Sequence, residues 1–176
     1  MLDSLITSKT RIKILLKFFL NSQNKGYLRN LESEFDESSN SIRIELNKLE
    51  KAGLLQSAFE RNKKIFFANT EHPLFSDIHN ILRKFVGIDQ IIEHVIKQTG
   101  DLKAAYLTGA FALGKDSQTI ELALVGNKLD SGYIQNLIQK AENYIHRKII
   151  FVILNEEEGS NIYNNKDILL IWEAGA

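Results

Sequence analysis

The chain has 176 residues, 44% of them hydrophobic and 25% charged, which is the make-up of an ordinary folded protein and excludes wholesale disorder. It contains no cysteine, which excludes disulfides and thiolate metal sites. Its formal net charge is zero, but residues 1–72 carry 12 Lys and Arg against 9 Asp and Glu, and residues 73–176 carry 10 against 13. A mildly basic first part is compatible with a polyanionic partner. No apolar run approaches the roughly 18 residues that cross a bilayer. Met1-Leu2-Asp3-Ser4 has neither the basic start nor the apolar stretch of a secretion signal, so a cytoplasmic protein without a membrane partner is expected.

Helical spacing opens the chain. Ile12, Leu15, Leu16, Phe19 and Leu20 recur at intervals of three and four, with Ser8 placed to cap the helix. The polar stretch from Asn21 to Gly26 breaks the pattern. A second short helix is predicted from about Tyr27 to Phe35, with Leu28, Leu31 and Phe35 inward. Asp36-Glu37-Ser38 reads as a turn, and Ser38 or Ser39 can cap a third helix that carries Ile42, Leu46 and Leu49 inward. Gly53 ends it. Two strands follow, Leu54 to Phe59 and Lys64 to Ala68, with Glu60-Arg61-Asn62-Lys63 as the hairpin tip.

The one proline, Pro73, marks a boundary. Leu74 to Val86 is predicted as a linking helix with Phe75, Ile78, Ile81, Leu82 and Phe85 on one face, and Ile88 to Gln98 as another after Gly87. Beyond it strands are expected at Leu102–Leu107, Ile120–Val125, Lys148–Leu154 and Ile168–Trp172, with a helix at Ser131–Ile145. This gives an α+β chain of three parts: 1–72, linking helices 73–98, and a small mixed-sheet α/β domain 99–176.

Three helices and a hairpin in this order resemble the winged helix-turn-helix of ArsR-like and MarR-like prokaryotic regulators, over roughly residues 8 to 70. The most specific phrase runs from Ser41 to Leu55, where a helix passes through Leu46, Leu49, Gly53 and Leu54-Leu55 into the wing. The resemblance implies a transcriptional regulator that binds double-stranded DNA as a homodimer. The third helix would offer Ser39, Asn40, Ser41, Arg43 and Asn47 to the major groove. Arg61, Lys63 and Lys64 on the wing would hold the flanking backbone. Glu45 and Glu50 count against that reading, because carboxylates repel phosphate.

The segment Tyr106-Leu107-Thr108-Gly109-Ala110-Phe111-Ala112-Leu113-Gly114, followed by Ile120-Glu121-Leu122-Ala123-Leu124-Val125, resembles the core of the minimal nucleotidyltransferases. There a strand ends in Gly-Ser, and the next strand holds Asp-x-Asp for two divalent metals. Gly109 and Gly114 match. The serine position is Ala110, the first aspartate position is Thr119, the second is Glu121, and the third acidic position falls within Ile149-Ile150-Phe151, which holds no carboxylate. Asp116 lies nearby on a loop. The resemblance therefore implies a scaffold without catalytic residues, metal or cofactor, used for dimerisation or for sensing a small molecule or nucleotide. Two alternatives stand beside it: a nucleotidyltransferase acting on a protein or small molecule, and an antitoxin-like interaction module. His72, His79, His94 and His146 have no metal-ligand spacing. Glu156-Glu157-Glu158 reads as a solvated helix start, and Trp172 as packing for the last strand.

Overall fold

The computed structural model describes residues 2–162 and 167–175. The chain is a mixed α+β protein with two separate sheets, and it divides into two compact units, 1–85 and 86–176. Residues 73–98, expected as a link, are shared between them: α5 (Phe75–Val86) ends at the division and α6 (Ile88–His94) belongs to the second unit.

The first unit starts with a short turn of helix, α1 (Leu2–Leu5), before α2 (Lys9–Leu15). The Ser8 hydroxyl accepts from the Arg11 amide at 3.2 Å, which satisfies one of the free donors at the helix start. The helix then widens into a π-helical turn over Leu16–Leu20, where all five residues are buried. Lys17 is among them, its ammonium held 2.7 Å from Glu34. The ring nitrogen Nδ1 of His79, on α5, meets the Phe19 carbonyl at 2.7 Å. The sequence pattern predicts one regular helix here and does not anticipate the π turn.

The polar break after it contains a strand that the pattern misses, β1 (Lys25–Tyr27). It exists because β3 (Lys63–Ala68) supplies its hydrogen-bond partners, Gly26 facing Phe66 and Tyr27 facing Ile65. Gly26 lets the strand lie close to the core: a Cβ there would come within 2.9 Å of the Leu31 side chain. Helix α3 (Leu28–Phe35) follows and ends at Asp36 in the left-handed region. Ser38 then caps α4 (Ser39–Lys51), its hydroxyl accepting from the Ser41 amide. Helix α4 buries Ile42, Glu45, Leu46 and Leu49 on one stripe.

Strand β2 (Leu55–Glu60) pairs with β3 along its full length, so the sheet order is β1-β3-β2, all antiparallel. The hairpin tip is shorter than expected. Glu60 and Lys63 are the last paired residues, and only Arg61 and Asn62 form the turn, both with positive φ. That is the backbone of a two-residue type I′ loop, whose twist matches the strands.

In the second unit a 3-10 turn (Ile96–Gln98) leads to β4 (Ala104–Thr108). A one-turn helix α7 (Gly109–Ala112) and a loop connect to β5 (Thr119–Val125), antiparallel to β4. Helix α8 (Ser131–Ile145) crosses to β6 (Lys148–Leu154), parallel to β5. Helix α9 (Glu156–Ile162) precedes β7 (Leu169–Glu173), which pairs antiparallel with β4. The order is β6-β5-β4-β7, a mixed sheet as expected. The acidic triplet Glu156-Glu157-Glu158 does begin a helix: the Glu158 carboxylate accepts from the Asn155 amide at 2.9 Å and Asn155 Oδ1 accepts from the Glu158 amide at 2.8 Å, a reciprocal cap. Ile81, predicted inward on α5, is 49% exposed. Trp172 is half-buried.

Candidate functional sites

In the first unit, α3, α4 and β3 enclose a surface groove of about 370 Å³. Arg43 and Asn47 line it from α4, Lys63 and Lys64 from β3, and Arg29 and Asn30 from the first turn of α3. Four cations therefore face one cleft. Sequence reasoning named Arg43, Asn47, Lys63 and Lys64, and the fold brings these four together. It missed Arg29 and Asn30. Their signal was their place in the first turn of the second helix, but nothing in the pattern says that this turn abuts the hairpin.

The remaining predicted contacts are placed differently. Asn40 and Arg43 are exposed one turn apart, with Arg43 Nη2 donating to Asn40 Oδ1 at 3.0 Å. The Ser39 hydroxyl donates to Glu32 at 2.8 Å, and the Ser41 hydroxyl lies 2.9 Å from that of Ser38. Both serines therefore serve the helix start. Arg61 sits at the exposed hairpin turn. Lys64 is half-buried and committed: its ammonium is 2.7 Å from Glu50 and 4.8 Å from the centre of the Phe66 ring.

The two acids on α4 are accounted for by the same geometry. Glu45 lies on the buried stripe and accepts from Arg11 Nε at 2.7 Å, with Lys48 at 3.4 Å. Burial pushes its carboxyl up, but Arg11 and Lys48 outweigh that and hold it below the ordinary carboxylate value. Glu50 is also held low, first by the Lys64 ammonium and then by the Ser57 hydroxyl. Neither faces outward as an unpaired negative charge beside Arg43. At the far end of the sheet, the Tyr27 hydroxyl donates to Glu60 at 2.7 Å, and the hydrogen bond to that carboxylate raises the phenol above its usual value.

In the second unit, residues facing each other across strands share a face of the sheet. One face carries Ala104, Tyr106, Ala123 and Val125 as a small core, with Leu154 and Ile168 against it. Gly159 of α9 packs so close to Val125 that a Cβ would come within 2.6 Å of it. The same face continues to Thr108, Glu121 and Ile150, which are register partners in a row. Ile150 is 54% exposed there. The register thus selects Ile150 from the three residues where a third acid is expected, and it is apolar. Thr119 lies two residues before Glu121 on the same strand and is half-buried.

Gly109 has φ +60, and a Cβ on it would collide with the Glu121 carboxylate. Gly114 also has positive φ. Ala110 is half-buried on α7. Asp116 does not turn toward Glu121. Its carboxylate is 2.9 Å from Arg147, whose guanidinium also donates to the Ser117 carbonyl and lies 5.1 Å from the centre of the Phe111 ring. Among the described residues no group of three His, Cys, Asp or Glu is arranged to hold a metal ion. His94 stacks on Tyr144, and His72 Nδ1 accepts from the Leu74 amide at 3.1 Å. No helix of the described residues is long and apolar enough to cross a membrane.

No protein-family model matches the chain, and no curated protein does. Among solved structures it is similar to a candidate nucleotidyltransferase from Sulfolobus solfataricus, with 21% identity, 56% of this chain and 88% of that chain covered, and a TM-score of 0.37. At that TM-score the likeness establishes neither a shared fold nor an activity.

Proposed function

We propose that residues 1–85 bind duplex DNA in the manner of a winged helix and that the protein is a transcriptional regulator acting as a homodimer. The observation that carries this reading is the groove in which Arg29, Arg43, Lys63 and Lys64 converge between α3, α4 and β3. A helix set in a major groove about 12 Å wide, with a hairpin reaching past the adjoining phosphates, must straddle one strand of the duplex. A cation-lined cleft between that helix and that hairpin fits such a strand. The order helix, strand, helix, helix, hairpin supports the same reading. So does the inward or paired disposition of Glu45 and Glu50, which leaves the outer stripe of α4 to Asn40, Arg43 and Asn47.

The second unit is a nucleotidyltransferase-like scaffold that does not transfer nucleotides, serving dimerisation or ligand sensing instead. Its support is chemical. Two divalent ions close together need several carboxylate oxygens, and the three positions that would supply them hold Thr119, Glu121 and Ile150 on one face.

Fluorescence anisotropy of the full chain against labelled duplexes tests the first part. Arg29→Ala and Arg43→Ala should each weaken binding, and Lys140→Ala on α8 should not. Equal affinity in all three variants contradicts the assignment of the groove.

A further inference from the structure

Strand β6 is an edge of the second sheet, and no strand among the described residues pairs with its outer side. It runs parallel to β5 in unbroken register, and from Ile149 to Leu154 it has no charged residue, proline or glycine. Charges, prolines and bulges are what keep such an edge from pairing. The opposite edge is better guarded: β7 is shorter, its pairing with β4 shifts register, and it ends on Glu173. Which backbone groups of β6 face outward follows from its ladder. The Lys148 amide donates to the Gln118 carbonyl, and the Leu154 carbonyl accepts from the Gly126 amide. Lys148, Ile150, Val152 and Leu154 therefore bond inward, and Ile149, Phe151, Ile153 and Asn155 turn outward. Two of the outward amides are already taken: Ile149 donates to the Glu142 carboxylate at 2.8 Å, and Asn155 to that of Glu158 at 2.9 Å. Phe151 and Ile153 lie between these caps, and the midpoint of the uncapped stretch is Val152.

A second copy of the same strand fits this edge. Set antiparallel about a two-fold axis at Val152, Phe151 of each copy faces Ile153 of the other and exchanges both backbone hydrogen bonds with it. The capped amides of Ile149 and Asn155 then fall opposite each other just beyond the paired stretch, so neither cap has to be displaced. The side chains agree with this register. Val152 and Ile150 are 49% and 54% exposed, on the sheet face that carries Tyr106 and Ala123. They would meet Val152 and Leu154 of the second copy, while half-buried Phe151 and Ile153 meet on the other face. Exposed Lys148 comes opposite the first turn of the second copy's α9, where Glu156 and Glu157 stand. We infer that the second unit dimerises through β6, joining two four-stranded sheets into one continuous sheet about an axis at Val152. The inference rests on the dimerisation role proposed for this unit and does not depend on duplex binding. A strand from a different protein could lie along the same edge. The second copy is favoured because the caps and the Lys148-to-α9 charge match are placed symmetrically about one residue, which an identical strand satisfies at both ends.

The test uses the full chain, which contains no cysteine, so a single introduced thiol can cross-link only to another copy. Val152→Cys should give a disulfide-linked dimer under mild oxidation, because facing residues of a non-hydrogen-bonded antiparallel pair lie about 4.5 Å apart at Cα, within disulfide reach. Ile150→Cys, similarly exposed on the same face, should not, since its counterpart lies four residues along the second strand, roughly 13 Å away. In sedimentation the wild type should be a dimer. Val152→Lys sets two ammonium groups against each other at the axis and should raise the dissociation constant about tenfold or more. A dimer that persists unweakened in Val152→Lys, or Ile150→Cys cross-linking as fast as Val152→Cys, overturns pairing about Val152 and leaves the dimerisation role standing. Assemblies that grow beyond a dimer with concentration also overturn it, since they would join β6 to a different edge. A monomeric wild type takes down both.

Discussion

The Glu45 carboxylate lies 2.7 Å from the Arg11 guanidinium, on the side of α4 opposite the exposed Arg43. Helix α4 thereby sorts its charges: the acid binds inward to α2 and the cation points out. The pair also joins α4 to α2 and so sets how far α4 stands out from the unit. Glu45→Ala leaves the Arg11 head without its acceptor and should cost roughly 1.5–3 kcal/mol, the worth of a hydrogen bond between charged groups. Thermal melts of the full chain check this, and an unchanged midpoint would show the pair to be unimportant.

Acid should weaken the same unit. The carboxyls of Glu45 and Glu50 are held below their ordinary value in the folded chain by Arg11 and Lys64 respectively. Groups lowered on folding stabilise above the unfolded value, about 4.3 for Glu, and that stability is lost as pH falls through the lower folded value. Melting temperature should therefore drop as pH is taken down from about 5 through the carboxylate range. The drop should be shallower in Glu45→Gln, and an identical slope in that variant would remove Glu45 as a source.

The wing lysines should behave unequally. Lys64 is held by Glu50, whereas Lys63 is exposed, its ammonium 6.0 Å from the centre of the Tyr27 ring. Lys63→Ala should reduce affinity for all duplexes and flatten the salt dependence by about one unit for each phosphate it no longer neutralises. Lys64→Ala should do less, and Glu50→Gln should raise affinity by releasing Lys64. By contrast, Arg43→Ala should change sequence preference, at a cost of roughly 1–3 kcal/mol if it meets a base edge. Anisotropy over a salt series separates these; equal effects of the two lysines would contradict the role given to Glu50.

Gly109 should not tolerate a side chain. Its left-handed backbone costs a non-glycine residue roughly 1–2 kcal/mol, and the added methyl would also meet the Glu121 carboxylate. Gly109→Ala should destabilise the second unit by more than the backbone cost alone. Adding Glu121→Ala should recover the steric part and leave the backbone part. Failure of the double variant to recover anything would mean the two residues are not in contact.

The sheet face around Glu121 should not support nucleotidyl transfer. Calorimetry with magnesium and nucleoside triphosphates should show no metal-dependent tight binding and no product. Metal-independent binding would fit backbone amides near the glycines holding an anion. Product formation abolished in Glu121→Gln would replace the sensing role with an enzymatic one.

Most of the architecture was legible because the periodic segments are long. Ser131–Ile145 and Lys148–Leu154 have the bounds that their patterns predict, and Ser8, Ser38 and Gly53 sit where caps and stops are needed. Strand β1 was not legible, since three residues containing Lys25 and Gly26 carry no alternation and depend on β3 for their existence. The direction of Glu45 was available, as it falls on the stripe of Ile42, Leu46 and Leu49, but its charge argued for the outside. The groove was only half legible. Its α4 and hairpin residues follow from helix phase and turn position, while Arg29 and Asn30 join them through a tertiary approach of α3 to β3 that no local pattern encodes. Similarly, only strand register could choose Ile150 among three neighbours.

Binding of duplex phosphates by the cations of the first unit is tested most directly by a salt titration of the wild type. The logarithm of the binding constant should fall linearly with the logarithm of salt concentration, with a slope of about −0.9 for each phosphate neutralised. Groove and hairpin cations predict a slope of several units, reduced in Arg29→Ala and Lys63→Ala. No binding at low salt, or binding indifferent to salt, would contradict phosphate recognition by this unit.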